Sequence, residues 1–274
     1  MELPEKVYYI NLENKQENNK LFLERIHKLN LFAEENIIRF EGIDGHKEGE
    51  IKKAIEMTNN RVRFGINNES KQEPGLGQKG CYLSHYLLLK QIYNTTTDEC
   101  VMICEDDCGY SENFEEYVKQ TMKYIQNNNL EVDILQVGNQ GFYDTTHKLY
   151  LLNKNLKLIK YGTFCTHCYI ITRNGIKNLL DYFDGLEENW VIDIDMIHWK
   201  SDKKYLIVER KTEEQINKLI QNSQLARSSG IAYQMLVNNN SMHNYTITEE
   251  QLEKEKEINI KDYNKYIKKQ LENW

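Results

Sequence analysis

The order of predicted strands and helices constrains the fold of this 274-residue chain most strongly. Short β-rich apolar runs alternate with segments whose apolar residues recur every three or four positions, the period of an amphipathic helix. The strand patterns of the first half are KVYYINL at 6–12, NIIRFEGIDG at 36–45 and VMIC at 101–104. Strands that alternate with helices predict an α/β fold, here with a mainly parallel central sheet flanked by helices.

The second half of the chain continues with a hairpin pattern, a strand and a helix. These are KLYLLNKNLKLIKY, FCTHCYIIT and RNGIKNLLDYF. We expect one domain over residues 1–247. Residues 248–274 carry a capping-box pattern and an apolar stripe, which predict an amphipathic helix that packs back on the domain. Docking of this helix on another chain, as in a homo-oligomer, is the alternative.

Charge and hydropathy exclude several classes of protein. The net charge of −7 and the pI near 5.6 argue against nucleic acid as a partner, because phosphate binding needs a basic face. No apolar run approaches the roughly 20 residues that span a bilayer. The first residues lead directly into a strand pattern, without the features of a secretory signal. We therefore expect a cytoplasmic protein.

Three adjacent acids, Glu105, Asp106 and Asp107, follow the buried strand pattern VMIC. Ligands of α/β proteins bind at the carboxyl ends of strands, and alternate side chains of an extended segment point the same way. Glu105 and Asp107 are therefore expected to bind one Mn²⁺ or Mg²⁺ ion, with Asp106 facing aside. The alternative is an acidic turn before a helix that begins near Ser111.

The chain resembles glycosyltransferase family 25, which contains lipopolysaccharide sugar transferases and procollagen galactosyltransferases. The similar segments follow one another in order over most of residues 6–230. They are VYYINL, FEGIDG, GLGQKGCYLSHYLLLKQIY, VMICEDD, GTFCTHCYIITRNGIKNLL, WVIDIDMI and NSQLARSS. The resemblance implies a GT-A fold, a UDP-sugar donor, a divalent metal and transfer with inversion. It leaves a saccharide and a hydroxylysine-type side chain open as acceptors.

The resemblance also suggests roles for single residues. Asp195, with Asp193 close behind, is the candidate general base, because IDID would place both on one side of an extended segment. A helix start before MIHWK is the alternative. Further candidate contacts are Asn11 and Asp44 for uracil and ribose, Ser84 and His85 for the diphosphate, Glu105 and Asp106 for the nucleotide, and Thr163 for the acceptor.

The cysteines do not favour a zinc or thiol-redox site. Cys100, Cys104 and Cys108 are spaced by four across a predicted strand, in a mainly apolar run that we interpret as holding reduced cysteines. Cys165 and Cys168 would need two further ligands. The leading hypothesis is thus a metal-dependent hexosyltransferase, and the alternative is an inactive sugar- or protein-binding module with the same fold.

Overall fold

A computed structural model describes residues 2–66, 73–138, 149–153, 156–159, 166–209 and 232–234. The predicted tail helix at 248–274 lies outside the described residues. The helices are α1 Gln16–Ile26, α2 Glu50–Met57, α3 Leu76–Thr95, α4 Phe114–Asn127, α5 Arg173–Gly185 and α6 Ile192–His198. The strands are β1 Val7–Asn11, β2 Ile37–Glu41, β3 Cys100–Glu105, β4 Cys108–Tyr110, β5 Ile134–Gln136, β6 Leu149–Asn153, β7 Leu156–Ile159, β8 Cys168–Thr172, β9 Lys204–Glu209 and β10 Ala232–Gln234.

Eight of these strands form one sheet in the order β2-β1-β3-β8-β5-β9-β7-β6. The pairs β1–β2, β1–β3 and β5–β9 are parallel, whereas β3–β8, β5–β8, β7–β9 and β6–β7 are antiparallel. The α/β class with flanking helices is confirmed, and so are the hairpin β6–β7, strand β8 and helix α5. The expectation of a mainly parallel sheet is wrong, because β8 enters between β3 and β5 in the opposite direction.

Helices cover both faces of the sheet. Along β3, Val101 and Ile103 pack with α2, α3, α5 and α6, while Met102 and Cys104 face the side of α1 and α4. This alternation is the two-residue period of a strand that is buried on both faces. None of the helices in the described ranges is long and apolar enough to cross a membrane.

Helix α3 packs closely against the loop that follows β2. A Cβ atom on Gly80 would lie 2.5 Å from the carbonyl oxygen of Ile43, so only glycine permits this approach. Ser84 then accepts a hydrogen bond from the Ile43 amide at 2.8 Å and donates to the Gly80 carbonyl at 2.7 Å. The close approach at Gly80 and the Ser84 bond to Ile43 fix α3 beside the ends of β1 and β2.

Candidate active site

The acidic segment lies where β3 ends. Because β1, β2 and β3 are parallel, their carboxyl ends meet at one edge of the sheet. Glu105 is the last residue of β3, and Asp106 and Asp107 form the turn into β4. Arg25 of α1 donates to the main-chain oxygens of Asp106 and Cys108, at 2.6 and 2.9 Å, and so holds this turn against α1.

Glu105 is held by two side chains on one of its oxygens. The Thr166 hydroxyl donates to Glu105 Oε1 at 2.6 Å, and His85 Nε2 lies 3.3 Å from the same atom. His85 Nδ1 is 3.0 Å from the Tyr169 hydroxyl, which fits a tautomer with the proton on Nε2. Burial raises the pKa of Glu105, but the bonds from His85 and Thr166 outweigh burial and hold it below its usual range.

Asp106 faces away from Glu105, as predicted. Its carboxylate accepts from Asn11 Nδ2 at 2.6 Å and from Asn18 Nδ2 at 3.3 Å. Burial raises the pKa of Asp106, and the two amide bonds oppose that shift. Its side chain therefore ties the turn to β1 and α1.

Glu105 lies on the wall of an open pocket of about 140 Å³. The pocket is formed by the start of α3, the end of β3, the residues before β8 and the start of α6. Its described lining residues are Gln78, Cys81, Glu105, Thr166, His167, Val191, Ile192 and Asp193. The pocket thus brings together Glu105 and Asp193, two acids that are 88 positions apart in the sequence.

The IDID segment is helical, and the expectation of an extended segment is wrong. Both acids lie in the first turn of α6, where carboxylates interact favourably with the helix dipole. Asp193 is half-buried and lines the pocket. Asp195 is only 8% exposed, does not line the pocket, and accepts from the Trp190 amide at 3.1 Å; burial raises its pKa, and the nearby Tyr82 hydroxyl opposes that shift.

Several negatively charged carboxylates lie near the Cys81 thiol on the pocket wall. Burial raises the pKa of the Cys81 thiol, and the negative charges of Glu105, Asp193 and Asp107 raise it further. Asp107 therefore contributes to the same acidic environment as the two pocket acids. The Cys81 thiol, the His85 imidazole and the Glu105 carboxylate also offer ligand atoms that all lie within 4.8 Å of one another.

The other predicted contact residues are distributed differently. Asn11 is 1% exposed, and its amide bonds to Asp106, the Lys15 carbonyl and Arg39, so in this structure it anchors the end of β1 and offers no surface to a nucleotide. Ser84 is 2% exposed and anchors α3.

Asp44 and Thr163 complete the list of predicted contacts. Asp44 lies in the loop after β2, where its carboxylate accepts from the His46 amide and from Asn14. Its contact with ribose stays a prediction. Thr163 lies outside the described residues.

Sequence reasoning missed Thr166, Cys81 and Gln78 as pocket residues. The position of Thr166 beside Glu105 follows from the pairing of β8 with β3. Antiparallel pairing of Cys168 with Cys104 places the residues just before β8 beside Glu105. Predicting this position required knowing that β8 runs against β3, which the apolar pattern of a buried strand does not reveal.

Comparison with known proteins identifies the family. The family model described as "Glycosyltransferase family 25 (LPS biosynthesis protein)" matches residues 4–198, more than half of the chain. Among curated relatives, a putative glycosyltransferase R655 of Acanthamoeba polyphaga mimivirus is 24% identical over 57% of this chain and 45% of its own. A glycosyltransferase 25 family member of Drosophila melanogaster is 30% identical, over 63% and 30%.

A third relative is the lipooligosaccharide biosynthesis protein lic2B of Haemophilus influenzae. It is 27% identical over 61% of either chain. The match therefore spans 30% to 61% of the length of these three relatives. The family match covers both acidic segments of the pocket wall, at Glu105 and Asp193. The chain belongs to glycosyltransferase family 25.

Proposed function

We propose that this protein is a metal-dependent glycosyltransferase that moves a hexose from a UDP-sugar to a hydroxyl group, with inversion at the sugar carbon. The observation that carries the proposal is the pocket with Glu105 at the end of β3 and Asp193 at the start of α6. An inverting transfer needs one group to neutralise the leaving diphosphate and a second to take the acceptor proton. Two acids from different elements on one pocket wall can divide these tasks.

The oxygen donors at the end of β3 suit Mn²⁺ or Mg²⁺. These ions typically take one or two carboxylates and complete their shell with phosphate oxygens and water. The Thr166 hydroxyl and His85 Nε2 both contact Glu105 at Oε1. Glu105 would hold the ion with its carboxylate, and Asp107 would supply the second carboxylate. When bound, the ion supplies Lewis-acid neutralisation of the UDP leaving group.

His85 and Thr166 act as positioning residues for Glu105. Both contact its Oε1 and favour the ionised carboxylate, which agrees with a pKa of Glu105 below its usual range. The partners of a metal ligand typically set its orientation, and their loss costs about 10- to 100-fold in metal affinity. His85 is 1% exposed, which supports this role over direct contact with the diphosphate.

Asp193 is the proposed general base. It takes the proton of the acceptor hydroxyl while that oxygen bonds to the sugar carbon and the bond from carbon to UDP breaks. Asp193 is preferred to Asp195 because it lines the pocket, whereas Asp195 is buried against Trp190 and Tyr82. The name of the Haemophilus influenzae relative supports a lipooligosaccharide-type glycan as the acceptor.

The test is UDP release from a panel of UDP-sugars, with Mn²⁺ and with EDTA. Wild type is compared with Glu105→Gln and with Glu99→Gln, a control that makes the same change at the exposed opposite end of the β3 segment. We expect release from one sugar, abolished by EDTA, lowered on the order of 100-fold by Glu105→Gln, and unchanged by Glu99→Gln. A folded wild type that neither releases nor binds UDP would overturn the proposal and favour a binding module.

A further inference from the structure

Three buried thiols form a cluster directly beneath the acidic turn. Cys104, Cys108 and Cys168 have no exposed surface, and their Sγ atoms all lie within 4.8 Å of one another. Cys104 Sγ and Cys168 Sγ are 3.5 Å apart. The cluster lies on the face of the sheet that α1 and α4 cover, whereas Cys81 packs on the face covered by α3.

The topology explains why these cysteines meet, and it corrects the sequence-based argument against a site. Cys104 and Cys168 are direct partners in the antiparallel pairing of β3 with β8. The chain turns at Asp106 and Asp107, and β4 places Cys108 on the same side as Cys104. The sequence did not show that β8 runs beside β3, and this pairing brings Cys168, which is 64 positions away, next to Cys104.

The geometry of the cluster matches that of a thiolate metal site. A Zn–S bond of about 2.3 Å in a tetrahedral shell separates the sulfur atoms by about 3.8 Å. The observed separations, 3.5 Å for one pair and below 4.8 Å for all, bracket that value. Cys104 and Cys108 also have the Cys-x3-Cys spacing that falls within the usual range for structural zinc ligands.

We propose that Cys104, Cys108 and Cys168 bind a thiophilic d¹⁰ metal ion, with Zn²⁺ as the commonest such ion in proteins. The Tyr110 hydroxyl donates to Cys104 Sγ at 3.5 Å, and a fourth ligand would complete the tetrahedral shell. The ion differs from the one proposed in the pocket, because thiolates select soft metals and carboxylates select Mn²⁺ or Mg²⁺. This site does not depend on the proposed transferase activity.

The position of the site suggests its purpose. Cys104 precedes Glu105, and Cys108 follows Asp107, so the metal would hold both ends of the acidic turn. Cys168 follows His167 and Thr166, and Thr166 donates to Glu105. An ion bound by the three thiolates would therefore fix the backbone on both sides of the pocket carboxylate.

The experiment measures bound metal in the full-length protein. Wild type is expressed with added zinc, and its zinc content is determined by mass spectrometry. It is then reloaded with Co²⁺, whose thiolate charge-transfer band reports cysteine ligation. We expect about one zinc per chain, with the zinc and the cobalt band lowered at least about tenfold in Cys168→Ser and Cys108→Ser. The matched control Cys100→Ser, a half-buried cysteine of β3 outside the cluster, should keep both.

Other outcomes would overturn the proposal. Wild type without zinc and without a cobalt band would show that the three cysteines are ordinary core residues. This result needs no variant, so a serine variant that fails to fold cannot protect the proposal. A disulfide between two of the three cysteines in the purified protein would also contradict it. So would loss of the metal in Cys81→Ser with retention in Cys168→Ser, because that result would move the metal to the pocket.

Discussion

Glu105 and Asp106 at the end of β3, and Asp193 and Asp195 in the first turn of α6, are two pairs of acids that are divided in the same way. Asp106 accepts hydrogen bonds from Asn11 and Asn18, and Asp195 accepts one from the Trp190 amide and is buried beside Tyr82. Glu105 and Asp193 line the pocket. Burial raises the pKa of both Asp106 and Asp195, whereas hydrogen bonds lower that of Glu105.

The two segments differ in how their backbone achieves this division. After β3 the chain is nearly extended into its turn, so neighbouring residues face opposite sides, and Glu105 separates from Asp106. In α6 two residues advance the helix by about 200°, so Asp193 and Asp195 also point in different directions. An extended IDID segment would have placed both on one side. In this protein, the backbone conformation therefore selects one pocket acid from each pair.

The largest expected effect distinguishes Asp193 from Asp195. We expect Asp193→Asn to lower kcat by about 10²- to 10⁴-fold, because the acceptor hydroxyl loses its base. Asp195→Asn should lower kcat less than about tenfold, since its carboxylate contacts Trp190 and Tyr82 and not the pocket. Steady-state kinetics at saturating Mn²⁺ would measure both. A larger loss of kcat in Asp195→Asn would reverse the assignment.

A smaller effect on stability is expected at Asp106. Asp106→Ala removes the acceptor of the Asn11 and Asn18 amides and should lower the free energy of unfolding by about 1–3 kcal/mol. Asp181→Ala is the control, because Asp181 pairs with Lys177 on the exposed face of α5 and its loss should have a much smaller effect. Denaturant titrations would measure both. Equal stability of Asp106→Ala and wild type would show that Asp106 does not anchor the turn.

Local patterns predicted the elements of this fold better than their directions. The alternation of apolar residues located β1, β3 and β8, and the helical period located α3 and α5. The direction of β8 depends on its partners, because a strand buried on both faces has the same apolar run whichever way it lies. The alternation in IDID was interpreted as extended, but packing of Ile192 and Met196 against the α3 side of the sheet favours a helix.

The candidate site shows the same limit at the level of single residues. The three acids after β3 and the IDID pair could be identified from the sequence, and the turn of Asp106 away from Glu105 was predicted correctly. The separate environments of Asp193 and Asp195 could not, because they depend on Tyr82 and Trp190, which reach Asp195 only in the folded chain. The meeting of Cys104, Cys108 and Cys168 likewise depends on the pairing of β8 with β3 and on the turn after β3.

The smallest expected effect is a pH dependence of stability. It would distinguish the buried Asp195 from Asp193, which lines the pocket. Burial raises the pKa of Asp195 in the folded protein, so the folded state binds its proton more readily than the unfolded chain does. The free energy of unfolding of wild type must therefore fall, relative to Asp195→Asn, as the pH rises from about 4 through the raised pKa.

Asp195→Asn also changes the contacts with Trp190 or Tyr82. That change shifts the free energy of unfolding of the variant by the same amount at each pH, so it does not alter the direction of the trend. Denaturant unfolding at pH 4.5 and pH 7 should thus show the difference, variant minus wild type, moving in favour of the variant at the higher pH. A difference that moves the other way would mean that the carboxylate is stabilised in its charged form. Asp195 would then resemble Glu105, and its exclusion from the chemistry of the pocket would lose its physical basis.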